Sequence, residues 1–291
     1  MLASFAAELL KLRKRPATWI LWTIFGLSIV LLGYLLTYLL LTALDGGASS
    51  QGPRQDAPVA AKGAVAELYP RNVLATTLRS FGGIGAGVAL IFGALSVSGE
   101  YGWDTLKIVL TQRPGRLSVL AGKVTAVGVV VLVSAAAGLV LGALCSYSVS
   151  LAEGAPVSWP SAGRWLEALG AGWLILATNA YMGLFLAVLL RSGALSVGIG
   201  LVYLLVVEGL LTGLAAFNDR LETFVGALPG RNSTDLAAAF GQGALAPQSG
   251  PLPAELVEPQ QAALVLAAYS LSCITLGAHL RPTGSDILKL L

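Results

Sequence analysis

The sequence alternates between long runs without any charged residue and short polar segments. Five of the runs contain no Asp, Glu, Lys or Arg, and a sixth contains only Glu208. Each run is far longer than a β-strand, and about 20 apolar residues suffice for a helix to cross the roughly 30 Å hydrocarbon core of a membrane. The pattern predicts an all-α integral membrane protein, with one membrane domain over 1–291 and six transmembrane helices at 16–44, 74–99, 117–150, 164–190, 193–217 and 260–280.

Composition supports a membrane protein rather than a soluble one. Only 11% of the residues are charged and 56% are apolar, with a mean hydropathy of +0.78, whereas soluble domains are about one quarter charged. A water-soluble fold of this size could not hide so much apolar surface. The net charge of +3 is too small, and its basic residues too scattered, to indicate nucleic-acid binding.

The basic residues predict the orientation. If the N-terminus is cytoplasmic, 11 of the 18 Lys and Arg residues lie in the cytoplasmic segments, although the segments on the outer side are much longer. An excess of Lys and Arg on the cytoplasmic side is the usual determinant of topology. We therefore expect both termini in the cytoplasm.

The sequence contains none of three common catalytic motifs. The chain has one histidine, His279, and neither a zinc-protease nor a serine-hydrolase motif. The stretch from Gly115 to Lys123 is no phosphate-binding loop, because its two glycines are separated by six residues instead of four and Val124 stands where a Mg-binding Ser or Thr is needed. We expect no catalytic residue, no metal site and no bound cofactor. Cys145 and Cys273 fall inside apolar runs and are interpreted as packing residues.

The segment 1–15 before the first span is amphipathic. Apolar residues at helical spacing are Phe5, Leu9 and Leu12, and the polar face is formed by Glu8, Lys11, Arg13, Lys14 and Arg15. Such a basic amphipathic helix is expected to lie in the membrane interface. An ordinary basic flank of a span would account for the same residues.

The segment 100–116 joins the second and third spans on the cytoplasmic side and is longer than a simple turn requires. Asp104 or Thr105 could cap a short helix that ends before Pro114. One apolar face of that helix is formed by Leu106, Val109 and Leu110. A short helix of this kind, held by two spans, suits docking into a groove of a partner protein; a helix lying on the membrane surface is the alternative.

On the outer side, segment 218–259 is the longest polar segment. Its apolar spacing predicts two short helices, the first including Phe224. Asn232-Ser233-Thr234 within it matches an N-glycosylation acceptor. Glu208 is the one acid well inside a span, where a carboxyl group is expensive and marks a functional candidate. Glu208 and Phe224 are candidates for a pathway or gate, with a Glu208–Arg79 ion pair as the structural alternative.

Three glycine pairs have the spacing that permits close helix packing: Gly83 and Gly87, Gly138 and Gly142, and Gly209 and Gly213. The chain contains 35 glycines, so these pairs alone locate no interface.

The series Glu100-Tyr101, Thr105-Leu106-Lys107, Arg113-Pro114-Gly115-Arg116 and Lys123 resembles the ABC-2-type permease family of ABC exporters. The basic helix ending in Arg15-Pro16 and the six-span plan fit the same family. Two details depart from its pattern: Asp104 stands where the family often has Gly, and the Pro114-to-Lys123 interval is one residue shorter than a common form.

The resemblance implies that 100–116 is a coupling helix that contacts a separate ABC ATPase subunit, and that 218–259 covers the pathway on the outer side. The residues it assigns to ATPase coupling are Glu100, Tyr101, Trp103, Asp104, Thr105, Leu106, Val109, Arg113 and Arg116. ATP and Mg would then be bound by the partner ATPase. A second copy or a related permease would complete a dimer in the plasma (inner) membrane.

Two other functions remain open from the sequence. One is an ATP-independent channel or secondary transporter, and the other is a membrane anchor within an export assembly that does not itself transport. Secondary transporters usually place several ionisable groups near the membrane midplane or show repeated halves. This chain offers Glu208 alone and no evident repeat.

Overall fold

The structure is a computed structural model that describes residues 2–48, 65–102, 116–215, 219–241 and 258–279. Within these ranges all regular secondary structure is helical and no strand occurs. Six helices are long and apolar enough to cross a membrane, which confirms the predicted all-α, six-span class. Spans 1 to 6 are Pro16–Ala43, Pro70–Ser98, Ala121–Ala152, Ala162–Leu190, Gly193–Ala215 and Pro259–His279.

Several spans are built from more than one helical segment. Span 1 consists of Pro16–Ser28, a π-helical segment Ile29–Leu36, and Thr37–Ala48. The chain then forms short 3-10 turns at Ala66–Leu68 and Pro70–Asn72, and span 2 continues as Val73–Ser80, a π-helical segment Phe81–Gly85, and Ala86–Gly102. Span 5 consists of Gly193–Val202, a π-helical segment Tyr203–Val207, and Glu208–Ala215.

The remaining helices are continuous. An N-terminal helix, Leu2–Lys14, precedes span 1; Arg116–Ala152 contains span 3; and Ala162–Leu190 and Pro259–His279 are spans 4 and 6. Between spans 5 and 6 lie a first short helix, Asp219–Val225, and a second short helix, Pro229–Ala238. Because six spans alternate in direction, the chain defines an N-terminal face, where the N-terminal helix lies, and an opposite face, where the two short helices begin.

The turn between spans 4 and 5 shows how the sequence ends one helix and starts another. Arg191 adopts a left-handed conformation, with φ of 51°, and its N–H still donates to Ala187 O at 3.1 Å. Ser192 is extended, and its hydroxyl oxygen accepts a hydrogen bond from Leu195 N at 3.4 Å. A left-handed residue ends helices, and a Ser N-cap starts them. These two residues therefore reverse the chain on the N-terminal face.

Spans 2 and 4 form the centre of the bundle and are the most buried of the six. Gly93 of span 2 faces the backbone of Ala180, and Gly183 of span 4 faces the backbone of Leu90. The absence of side chains at both glycines lets the two helix backbones approach closely.

Span 1 is attached to this centre by contacts between aromatic rings. Trp22 lies 5.4 Å from Phe92, and Phe25 lies 5.2 Å from Phe81, measured between ring centroids. Tilted and edge-to-face rings at this separation add to the stabilisation that comes from burial. Spans 1, 5 and 6 otherwise expose long rows of Leu, Ile and Val, which is expected of surfaces that face lipid.

Candidate functional site

The two helices that flank the predicted coupling segment reach the N-terminal face, and most of the segment itself falls outside the described residues. Glu100 and Tyr101 belong to the last turn of the helix Ala86–Gly102, and Arg116 opens the helix Arg116–Ala152. The other six predicted coupling residues are Trp103, Asp104, Thr105, Leu106, Val109 and Arg113, all within 103–115 and outside the described ranges. The structure therefore places the two helices that hold the segment and leaves its docking role a prediction.

The N-terminal helix packs against the base of span 3, and two basic side chains connect this region to span 2. Lys123 at the start of span 3 is 1% exposed; its ammonium group donates to Ser96 O at 3.2 Å and lies 3.6 Å from Glu8 Oε2. Arg15 donates to Leu95 O at 3.0 Å. One lysine thus joins the N-terminal helix to two spans through a carboxyl group and a backbone carbonyl.

This packing corrects the predicted faces of the N-terminal helix. The three apolar residues lie on the side that packs on the bundle, with Leu12 buried, Phe5 packed on the core and Leu9 half-buried, while Lys11, Arg13 and Lys14 are exposed. Glu8, however, lies on the packed side and not on the solvent face. The reason is the buried cation of Lys123, which requires a nearby anion in a region of low dielectric constant.

The second short helix, Pro229–Ala238, is polar in sequence yet buried in the fold. Asn232, Ser233 and Asp235 are each almost completely covered. Ser233 faces Gly82, which lies inside span 2, roughly 18 Å along the helix from Pro70 at 1.5 Å per residue. This helix therefore enters the bundle from the opposite face instead of lying on top of it. Polar backbone and side chains are tolerated at membrane depth when protein surrounds them.

Asp235 and Asn232 show how the polar side chains of this helix are accommodated. Arg231 donates to Asp235 Oδ2 at 2.9 Å, and Asn232 donates to Gly226 O and Leu228 O at 2.8 Å each. Asn232 is 0% exposed. The apparent glycosylation acceptor is thus an internal hydrogen-bonding residue of the folded chain.

Glu208 anchors the beginning of the same helix. Its Oε1 accepts a hydrogen bond from Gly230 N at 2.7 Å, and a side chain at position 230 would overlap its carboxyl group. Glu208 lies about 10 Å before the end of span 5, at 1.5 Å per residue. The first N–H groups of a helix have no partner within it, and a carboxyl group there also interacts favourably with the helix dipole.

The alternative Glu208–Arg79 ion pair does not form among the described residues. Arg79 instead lies 3.7 Å from Glu67, measured from Nη1 to Oε2. Phe224, the second candidate for the pathway or gate, is 56% exposed on the first short helix. The contact between Glu208 and Gly230 could not be predicted from the sequence, because the two residues are 22 positions apart and no periodic pattern connects them.

Replacing Glu208 tests this contact. Hydrogen bonds to charged groups contribute about 1.5–3 kcal/mol, so Glu208→Ala is expected to lower the melting temperature of the detergent-purified chain by several degrees. Glu208→Gln keeps an acceptor oxygen and should lose less, while Glu222→Ala, an exposed glutamate of the first short helix, should lose almost nothing. Equal melting temperatures for Glu208→Ala and Glu222→Ala would contradict the anchoring role.

The fold defines a multi-pass integral membrane protein, with helices on both faces that tie the spans together. A family model described as ABC-2 family transporter protein matches residues 2–242, which include the N-terminal helix, the segment 100–116 and both short helices. The chain therefore belongs to the ABC-2 family and is a membrane permease of an ABC-type transporter. Span 6, Pro259–His279, lies beyond the matched residues. No match was found among the curated proteins.

Proposed function

We propose that this chain forms the substrate pathway of an ATP-driven exporter and works with a separate ATPase subunit bound at its N-terminal face. The observation that carries the proposal is the family match over residues 2–242, since permeases of this class leave nucleotide chemistry to a partner. A second permease chain, identical or related, would complete the pathway. The N-terminal face is then cytoplasmic, both termini lie in the cytoplasm, and the membrane is the plasma (inner) membrane.

The packing at the N-terminal face supports force transmission through 100–116. Lys123 connects span 3 to span 2 and to the N-terminal helix. Span 2 in turn is held against span 4 at Gly93 and Gly183. A push on 100–116 from a closing ATPase would move these elements as one body, because backbone-to-backbone packing resists sliding.

Three π-helical segments offer places where the spans could bend. They lie within spans 1, 2 and 5, and in span 2 Gly83 leaves the helical conformation, with φ of −83° and ψ of −108°. π-helical turns and glycine kinks are recurrent sites of bending. In span 5 the π-helical segment Tyr203–Val207 directly precedes Glu208, so bending there would shift the second short helix and open or close the outer side. Glu208 then belongs to the gate, with Phe224 near its rim.

Substitutions in the coupling segment test the proposal. The chain is purified in mild detergent from its source membrane, and Mg-dependent ATP hydrolysis that co-purifies with it is measured. Leu106→Asp/Val109→Asp replaces two apolar side chains whose burial is worth about 1.5–3 kcal/mol each, so co-purified hydrolysis should fall at least tenfold. Ile108→Asp is the matched control, because helical spacing places position 108 on the other face of the predicted helix.

Two results would count against the proposal in different ways. If Leu106→Asp/Val109→Asp retains the ATPase while Ile108→Asp loses it, the docking face is assigned wrongly. If the unchanged chain transports in vesicles without ATP and brings no ATPase with it, the ATP-driven class is wrong and a channel or secondary transporter takes its place.

A further inference from the structure

A pocket of about 170 Å³ lies at the N-terminal face, where the N-terminal helix, the start of span 1 and the end of span 2 meet. Its lining comes from Leu12, from four residues within 15–21 and from four residues within 92–98. Sites for whole small molecules typically have volumes of roughly 300–1,000 Å³. This pocket therefore suits one polar group of a larger molecule.

Arg15 is the one charged residue among the described residues that line the pocket. Its side chain is half-buried, and Nη1 donates to Leu95 O at 3.0 Å. Within the described part of the chain, Arg15 forms no ion pair with a carboxyl group. A guanidinium group carries five N–H donors, so most of them stay available to a ligand. The pocket thus offers a positive charge to an anion.

Three hydroxyl groups line the same pocket, on Thr18, Ser96 and Ser98. Ser96 donates to Gly93 O at 2.7 Å, so its proton is committed and its oxygen can only accept. The hydroxyl groups of Thr18 and Ser98 have no hydrogen-bond partner among the described residues, and each can donate to a ligand. Together with Arg15, the pocket presents mostly donors, which match the acceptor oxygens of a phosphate group.

The pocket lies at the level of the membrane interface. Arg15 immediately precedes span 1, Pro16–Ala43. Trp19, one helical turn further on, is 63% exposed, and its indole N–H donates to Arg13 O at 2.9 Å. Exposed Trp residues are enriched where the hydrocarbon core meets the head groups. Lipid head groups therefore have access to the pocket.

An apolar strip leads from the mouth of the pocket along span 1. Ala17 lines the pocket and is exposed. Helical spacing places Ile20 and Ile24 on the same side of the helix, and they are 59% and 47% exposed. An acyl chain attached to a phosphate in the pocket would lie against this strip. A phospholipid uses both the pocket and the strip, whereas a free anion uses the pocket alone.

We propose that this pocket binds the phosphate group of an anionic phospholipid of the surrounding membrane. The phosphate accepts from Arg15, whose planar guanidinium matches its oxygens, and from the hydroxyl groups of Thr18 and Ser98. No acid is among the described residues that line the pocket, so the ammonium group of a zwitterionic lipid would meet only the like charge of Arg15. The site does not depend on the proposed ATPase partner, and the purified chain suffices to test it.

Binding is measured by native mass spectrometry on the full chain in detergent, titrated separately with two phospholipids. Phosphatidylglycerol is anionic, and phosphatidylcholine carries the same phosphate next to an ammonium group. Phosphatidylglycerol is expected to bind about tenfold more tightly, because repulsion between the ammonium group and Arg15 offsets much of the attraction of the phosphate. Equal binding of the two lipids, or tighter binding of phosphatidylcholine, would overturn the proposal.

Arg15→Gln removes the charge of the pocket and should abolish the preference for phosphatidylglycerol. The matched control is Arg13→Gln, the same change at an exposed position two residues away. At physiological ionic strength exposed charges are strongly screened, so Arg13→Gln should change the affinity by less than about twofold. Equal losses in the two variants would mean that the basic N-terminal segment attracts anionic lipids as a whole and that the pocket does not bind them.

Two further variants test the pocket without changing Arg15. Thr18→Val/Ser98→Ala removes two donors and no charge, and it should weaken binding of phosphatidylglycerol about threefold; an unchanged affinity would place the phosphate elsewhere. Glu100→Gln neutralises an acid near the end of the same helix of span 2, whose side chain lies outside the described residues. This variant should keep the preference of the unchanged chain. A preference that appears only in Glu100→Gln would show that Glu100 occupies Arg15, and would refute the lipid site.

A competition arm separates a lipid from a soluble anion. Glycerophosphoglycerol carries the same head group without acyl chains, and it should compete roughly a hundredfold or more weakly, because it buries no hydrocarbon against Ile20 and Ile24. Competition at equal concentration would show that the ligand is a free anion and would contradict the phospholipid.

Discussion

Gly93→Ala and Gly183→Ala are each expected to destabilise the protein by about 3 kcal/mol or more, at the upper end of the cost of overpacking. A Cβ atom on Gly93 would overlap the carbonyl group of Ala180, and one on Gly183 would overlap the carbonyl oxygen of Leu90. The obstacles are backbone atoms, which cannot rotate away as the end of a side chain can. Spans 2 and 4 would have to separate, and that contact forms the centre of the bundle.

The matched control is Gly170→Ala in span 4, where an added Cβ meets no atom within 4 Å. There the usual helix preference for Ala over Gly, about 0.8–1 kcal/mol, should leave stability equal or slightly higher. Thermal unfolding and helical content are measured on all variants in one detergent. The double variant Gly93→Ala/Gly183→Ala should lose less stability than the two single variants lose together. Once the first methyl group has separated the helices, there is already room for the second. Strict additivity, or a Gly93→Ala variant as stable as Gly170→Ala, would contradict the close approach.

The close helix contacts at glycines could not be predicted from the sequence. The spacing of small residues singled out three pairs, and of these only Gly138 and Gly142 pack tightly, against Phe81 and Thr77. A Cβ atom added at Gly83, Gly209 or Gly213 would meet no atom within 4 Å. Spacing indicates which glycines share a face, but not which face meets a neighbouring helix, and that depends on the packing of the whole bundle.

The six spans, by contrast, could be predicted because their signal is local. A charged residue costs several kcal/mol at the centre of a membrane helix, so each charge-free run marks the position of one helix. For Pro229–Ala238 the apolar spacing predicted a short helix but gave no sign that its polar residues are buried. Protein surrounds that helix, and Glu208 and Gly82 meet it from two different spans. Tertiary partners of this kind leave no periodic trace in the sequence.

The buried charges at the N-terminal face are a second tertiary feature, and they give the other prediction with a large effect. Glu8 contacts two lysines in different surroundings: Lys123 at 3.6 Å, which is 1% exposed, and Lys11 at 3.3 Å, which is 41% exposed. Lys123→Met keeps most of the aliphatic side chain but removes the cation. Breaking a buried ion pair by removing one partner costs about 3–5 kcal/mol, whereas Lys11→Met should cost about 0–1 kcal/mol, as is usual for exposed pairs.

The two lysine variants thus compare the same chemical change next to the same carboxyl group, at a buried and at an exposed position. Lys123→Met should melt well below Lys11→Met and should be cleaved faster by trypsin at Arg13 and Lys14, because the N-terminal helix loses its charged contact with span 3 and unfolds locally more often. Adding Glu8→Gln to Lys123→Met should recover part of the loss, since it removes a carboxylate that has lost its buried counter-charge and keeps only the exposed Lys11. If both lysine variants melt and are cleaved alike, the contact between Lys123 and Glu8 does not hold the N-terminal helix in place.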